Sequence, residues 1–178
     1  MSQTEQLKQL LWQPLADGSV PKVFAIIDCA RDKRLEPLIN NSGLKHECLY
    51  EGKLNYALKR AAPHIVQLTS DSLFTETLLS EGWGQAWGIY YLCKPDVTLS
   101  QLRNGCRRIS KVKSPEGKTL VFRYYDPRVL RTVVPTCDVQ QRSAIMGPAC
   151  SIMVENKDGK PEVLQAKPLR YTETAPRK

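Results

Sequence analysis

An α/β layer fold, with α+β as its variant, is what this sequence predicts: a mixed β-sheet flanked by short helices. Short apolar or aromatic runs (Val23 to Cys29, Ile65 to Leu68, Trp87 to Cys93) alternate with segments of helical spacing. Turn and cap signals punctuate the alternation, so each run has room for only one short element. At 178 residues the chain is one domain, or one with a small appendage, and can bury a full core.

Leu7, Leu10 and Leu11 recur at helical spacing, predicting an amphipathic helix that ends near Pro14, before the turn Asp17-Gly18-Ser19. The unbroken apolar run from Val23 reads as a strand buried on both faces. Leu35, Leu38 and Ile39 suggest a helix interrupted by Pro37. A short strand from His46 to Tyr50 and a short helix from Asn55 to Ala61 follow. Ile65 to Leu68 is the next strand, and Ser72 can cap a helix through Leu78. Trp87 to Cys93, aromatic and β-branched, is a strong strand ended by Lys94-Pro95. Thr98 or Ser100 opens the clearest helix, expected to run to about Val112. Leu120 to Tyr125 reads as a strand, and a helix from Arg128 into the Gln140-Gln141-Arg142 region follows. Cys150 to Glu155 and Glu162 to Ala166 flank Asn156-Lys157-Asp158-Gly159-Lys160 and predict a hairpin. The expected organisation is a lobe over residues 1–135 and a short extension over 136–178, with a frayed tail from Pro168.

Hydrophobic content of 42% with 25% charged residues is ordinary for a soluble globular protein. No apolar run approaches a membrane span, and the polar start Met1 to Gln6 lacks the pattern of a secretory signal. Dispersed cysteines (29, 48, 93, 106, 137 and 150) without such a signal point to reduced, buried thiols and the cytoplasm. With no C-x-x-C pair and two histidines, neither metal nor cofactor is expected. Charge is uneven: residues 1–89 carry nine Lys/Arg against ten Asp/Glu, residues 90–178 seventeen against eight. A basic surface of this kind attracts nucleic acid, anionic lipid or an acidic protein.

The most informative stretch is Phe122-Arg123-Tyr124-Tyr125-Asp126-Pro127-Arg128-Val129-Leu130. Asp126-Pro127 stops the strand, because proline cannot donate to a ladder and restricts its predecessor. Asp at the cap with Pro at the first helical position also starts a helix. Around this corner stand, in order, Val23 to Asp28, Leu49-Tyr50-Glu51-Gly52, Ala62-Pro63-His64-Ile65-Val66-Gln67-Leu68, Gly82-Trp83-Gly84 and Met146-Gly147-Pro148. This ordered set, from about Trp12 to about Pro148, resembles the type VI secretion effector adaptors, whose domain was long catalogued as of unknown function. The resemblance implies a cytoplasmic, non-enzymatic adaptor or chaperone. Its partners would be an effector protein and the C-terminal region of a spike trimer protein, with neither membrane nor nucleic acid expected.

Four constellations invite a functional reading. Arg103, Arg107 and Lys111, four residues apart, would line one face of the helix expected from Leu99, with Arg108 beside them. Like charges at that spacing weaken an isolated helix, so the stripe suits an anionic partner or is a solvated face. Trp83 and Trp87 serve equally as interface anchors or as core packing. Arg123, Asp126 and Arg128 fit a site for a carboxylate or phosphate, or an internal ion pair pinning the corner. Asp28, Cys29 and His64 can be imagined as a carboxylate, nucleophile and base, but no spacing motif supports a hydrolase or transferase. The alternative to the adaptor is a basic nucleic-acid-binding module, which lacks any recognised helix-turn-helix, finger or RNA-binding signature.

Overall fold

In the computed structural model, described over residues 1–165, the expected sheet forms with helices on both faces. Its strands are β1 (Lys22–Asp28), β2 (His46–Cys48), β3 (Pro63–Leu68), β4 (Gly88–Cys93), β7 (Ala149–Glu155) and β8 (Pro161–Gln165), in the order β2-β3-β1-β4-β7-β8. Every ladder in it is antiparallel, so the sheet belongs to the α+β variant in its pairing. A separate two-stranded hairpin joins β5 (Lys111–Lys113) to β6 (Thr119–Val121).

Alternate residues of the central strands feed two cores, which explains their unbroken apolar runs. On one face Val23, Ala25, Ile27, Val66, Tyr90 and Leu92 meet α1 (Gln3–Trp12), α2 (Leu35–Asn40) and α4 (Leu73–Ser80). On the other, Phe24, Ile26, Ile65, Ile89, Tyr91 and Ile152 meet α5 (Leu99–Ile109), α6 (Pro127–Val133) and α7 (Val139–Met146). A further short helix, α3 (Tyr56–Ala61), is capped by the Asn55 side chain. Thr98, Ser72 and Asp126 cap α5, α4 and α6 as their sequence contexts imply.

Four expectations are revised. The helix from Thr98 stops at Ile109, where Ser110 donates to the Cys106 carbonyl and the chain enters β5, so Lys111 lies on the hairpin. The strand after the turn stops at Val121 rather than Tyr125. Tyr124 and Tyr125 are both buried, which consecutive strand residues pointing to opposite faces of a one-sided ribbon cannot be, and an Asp126 N–H to Arg123 carbonyl bond closes a turn there. Pro135 splits the long helix expected after Arg128 into α6, a 3-10 turn (Val134–Thr136) and α7. The hairpin assigned to the 136–178 extension is built into the main sheet: β7 pairs with β4, and Ile152 and Val154 lie in the core shared with residues before 135. The proposed end of that hairpin at Ala166 and the tail from Pro168 lie outside the described residues.

Candidate functional site

The signature residues converge on one end of the sheet, where β1 and β7 finish and β3 and β4 begin. β1 delivers Asp28 there, nearly inaccessible to solvent, and the turn before α6 brings Arg123 into an ion pair with it. Asp28 also accepts from the Ala30 N–H at 3.1 Å, while its own N–H donates to the Trp87 carbonyl at 2.8 Å. Asp126, likewise buried, receives the Arg128 N–H at 2.9 Å and two guanidinium nitrogens at 3.0 and 2.6 Å. Burial opposes its charge, yet the Arg128 hydrogen bonds and the nearby Arg charges hold its carboxyl below the usual range. The corner residues Arg123, Asp126 and Arg128 therefore form internal ion pairs, the structural alternative of the two left open. Both guanidinium groups remain about half exposed.

A third buried carboxylate completes this end. Glu155, the last residue of β7, accepts the N–H groups of Gly84 and Ala86, the latter at 2.8 Å. Gly84 and Ala86 both have positive φ, +88° and +54°, which turns their N–H groups toward a common acceptor. The glycines of this loop are required by contact. A Cβ on Gly88 would strike the Ile26 carbonyl, and one on Gly82 the Trp87 ring and Leu78 carbonyl. Arg131 donates to the Glu155 carbonyl from the opposite helix layer. Nothing in the sequence around Glu155 marks it; only its register at the end of β7 places it here.

The tryptophans of this loop are not exposed anchors. Trp83 and Trp87 are 9% and 5% exposed and pack in the α1/α2/α4 core. The Trp83 indole N–H donates to the Gly159 carbonyl at 2.6 Å, and the Arg34 guanidinium lies 5.8 Å from the Trp87 ring centroid. Burial takes both residues away from a partner.

The two arginines of the cationic stripe are also turned inward, while Lys111 stays exposed. Arg103 pairs with Glu47 of β2. Arg107 donates to the carbonyls of Leu49 at 3.1 Å and Cys48 at 2.8 Å, and lies 3.5 Å from Glu51. Both side chains are only 23% exposed. Lys111 reaches the same Glu51 at 3.3 Å from the hairpin. Together these groups clamp the short edge strand β2 onto α5. The like-charge cost along the stripe is offset by carboxylates and carbonyls some sixty residues upstream.

Cys29 and His64 do come together, with Sγ 3.5 Å from Nδ1. The same Nδ1 lies 3.0 Å from the Ala62 carbonyl oxygen, which can only accept, so Nδ1 carries the proton and cannot take one from the thiol. Burial, then the Asp28 charge, pushes the Cys29 thiol up; burial pushes the His64 imidazole down. A thiolate–imidazolium pair requires both shifts in the opposite sense. Among the described residues no group of three or more His, Cys, Asp or Glu is arranged to hold a metal ion. All six cysteines are unpaired. Two surface clefts of about 310 and 320 Å³ open at the opposite end of the sheet, one beside Lys22 and Leu68 and one beside Leu92 and Val163. No helix among the described residues is long and apolar enough to cross a membrane.

A family model described as a domain of unknown function, DUF4123, matches residues 23–144. The match takes in β1, the tryptophan loop, the clamp and the corner, and stops short of β7 and Glu155. Neither a curated protein nor a solved structure matches the chain.

Proposed function

We propose, from the premise that this chain belongs to the DUF4123 family, that it is a non-enzymatic adaptor of the type VI secretion kind. It holds an effector protein in the cytoplasm and helps load it onto the C-terminal region of a spike trimer protein. The observation that carries this reading is the use made of the signature residues. Asp28 pairs with Arg123 and Asp126 with Arg128, while Glu155 takes the N–H groups of the Gly82–Gly88 loop beside them at the same end of the sheet. They build a rigid platform and leave no activated nucleophile or base among them. A platform suits coupled binding, in which a flexible effector segment becomes ordered against a preformed surface.

Co-expression with the effector encoded beside it tests the reading. A joint peak in size-exclusion chromatography is expected. Separate elution, together with a hydrolase or transferase activity that depends on Asp28 or His64, overturns it. A salt series with duplex DNA separates the nucleic-acid alternative, since phosphate binding falls steeply with salt and an apolar-cored protein interface does not.

A further inference from the structure

We propose that the β5 edge of the projecting hairpin is a strand-docking surface for an extended protein segment in which acidic and apolar residues alternate. The inference deepens the adaptor reading and rests on it for the partner's being a protein. The hairpin stands apart from the main sheet, and every residue of its two strands is exposed. An isolated two-stranded hairpin is marginal in water, and a third strand is the usual remedy. Its apolar side chains are conspicuous for a surface: Val112, Leu120 and Val121 are 41%, 49% and 56% exposed.

The register decides which backbone groups are free. In an antiparallel ladder, residues that exchange hydrogen bonds alternate with residues whose N–H and C=O point away from the partner strand. Phe122 donates to the Ser110 carbonyl and Ser114 to the Lys118 carbonyl, both at 2.8 Å. With Lys111 opposite Val121, Val112 opposite Leu120 and Lys113 opposite Thr119, the bonded pairs are Ser110 with Phe122, Val112 with Leu120, and Ser114 with Lys118. The N–H and C=O of Lys111 and Lys113 therefore point outward from β5, an open edge of the kind another strand pairs with.

Side chains along that edge read cation, apolar, cation. Lys111 and Lys113 share one face with Val121, and Val112 shares the other with Leu120. A strand added there meets lysines at alternate positions on one face and valine with leucine on the other. The complementary sequence places a carboxylate opposite Lys113, which has no ion-pair partner among the described residues, and apolar residues opposite Val112, while at Lys111 an incoming carboxylate shares the exposed ammonium with Glu51. Arg108 and Lys118, exposed and without an ion-pair partner among the described residues, extend the positive field around the hairpin. A second copy of this chain fits poorly, because two β5 edges would set lysines against lysines between molecules that each carry a net charge of +8.

The test is amide NMR on the full chain, titrated with a short synthetic peptide of alternating valine and glutamate and with a valine–lysine control. The glutamate peptide is expected to shift resonances within residues 111–121 and to slow exchange of the Lys111 and Lys113 N–H groups, leaving Thr119 and Val121 unprotected. Lys113→Glu should weaken binding by about tenfold or more. If that variant does not fold, Lys113→Gln serves, with a smaller loss. Equal binding of both peptides, shifts elsewhere on the protein, or no response to the glutamate peptide overturns the proposal. A response of the same resonances to duplex DNA alone overturns it too, and assigns the surface to nucleic acid. An effector complex that forms undiminished with Lys113→Glu sinks the docking edge and leaves the adaptor reading standing. Peptide binding at β5 without any effector complex from the wild-type chain sinks the adaptor reading alone.

Discussion

Replacing Glu155 with glutamine should destabilise the protein far more than a one-atom exchange at a strand end normally does. Its carboxylate takes two backbone N–H groups, from Gly84 and Ala86, in a buried setting. Hydrogen bonds to a charged acceptor contribute about 1.5–3 kcal/mol each, and a buried donor left unmatched costs about 1–3 kcal/mol. Glutamine keeps one oxygen and sets its NH2 group against the second N–H, donor facing donor. One charge-assisted bond is weakened and the other is lost, for a net of about 3 kcal/mol. Ala86 adds to this, because its φ of +54° is held in place by the same carboxylate.

For a chain of this length, about 3 kcal/mol lowers the melting temperature by roughly 6–12 °C. Thermal unfolding followed by near-ultraviolet circular dichroism measures it. Tryptophan fluorescence gives a local check, since Trp83 and Trp87 flank the two donors. Glu162→Gln on the exposed strand β8 is the control and should leave the midpoint unchanged. A Glu155→Gln variant that melts within a degree of wild type, or a control that falls equally, refutes the assignment of Glu155 as the acceptor that fixes the loop.

Arg123→Ala should cost about 1–3 kcal/mol, because it removes the counter-charge of the buried Asp28 carboxylate, whereas Asp28→Asn should cost less, since it frees a half-exposed guanidinium that water can take up. Urea denaturation of the two variants checks that order, and the reverse order contradicts it. Gly88→Ala should lose about 3 kcal/mol or more, through collision of the new methyl with the Ile26 carbonyl; a wild-type denaturation midpoint would contradict this. His64, kept neutral by burial, titrates below its unfolded value near 6.5. Its contribution is therefore complete above about pH 6.5 and declines as the pH falls toward the folded value. Wild type should lose more stability between pH 7.5 and 5.5 than His64→Gln, and identical losses would remove His64 from that role.

Much of the scaffold was legible because its determinants are local. β1 and β4 announce themselves by apolar runs that fill both cores, and Ser72, Thr98 and Asp126 by cap chemistry within four residues of the helix they open. The end of α5 was not legible. Arg107-Arg108-Ile109-Ser110-Lys111-Val112 continues a helical period, and only pairing with Thr119–Val121 pulls Lys111 into a strand. The site divided the same way. Arg123, Asp126 and Arg128 could be selected from the Asp-Pro corner, but their companions Asp28 and Glu155 are supplied by sheet register from far along the chain. The tryptophans stayed open between anchor and core packing because a glycine-flanked indole pair looks the same in sequence whether the loop folds inward or outward, and their burial selects packing.

The uneven charge of the two halves finds part of its explanation in these contacts. Asp17, Asp28, Glu47 and Glu51 come from the slightly acidic first half, and Lys94, Arg103, Arg107, Lys111 and Arg123 from the basic second half. Each of these pairs joins one half to the other, mostly across the layer of α5 and the corner, so a share of the basic excess is internal complementarity rather than a field for an external polyanion. The pairs at Glu51 and Asp17 are largely solvated and contribute little to stability one by one. Those at Asp28 and Glu47 are more enclosed and fix how the second half docks on β1 and β2. What survives as an outward field includes Arg108, Lys113 and Lys118, around the separate two-stranded ribbon whose backbone edges are open. Charge, exposed apolar area and unpaired strand edge thus coincide on the hairpin, whereas at the signature corner each charged group already has its counter-charge. A partner that displaced corner contacts would have to break the ion pairs of the buried Asp28 and Asp126 to bind, and one that adds to β5 would leave them intact.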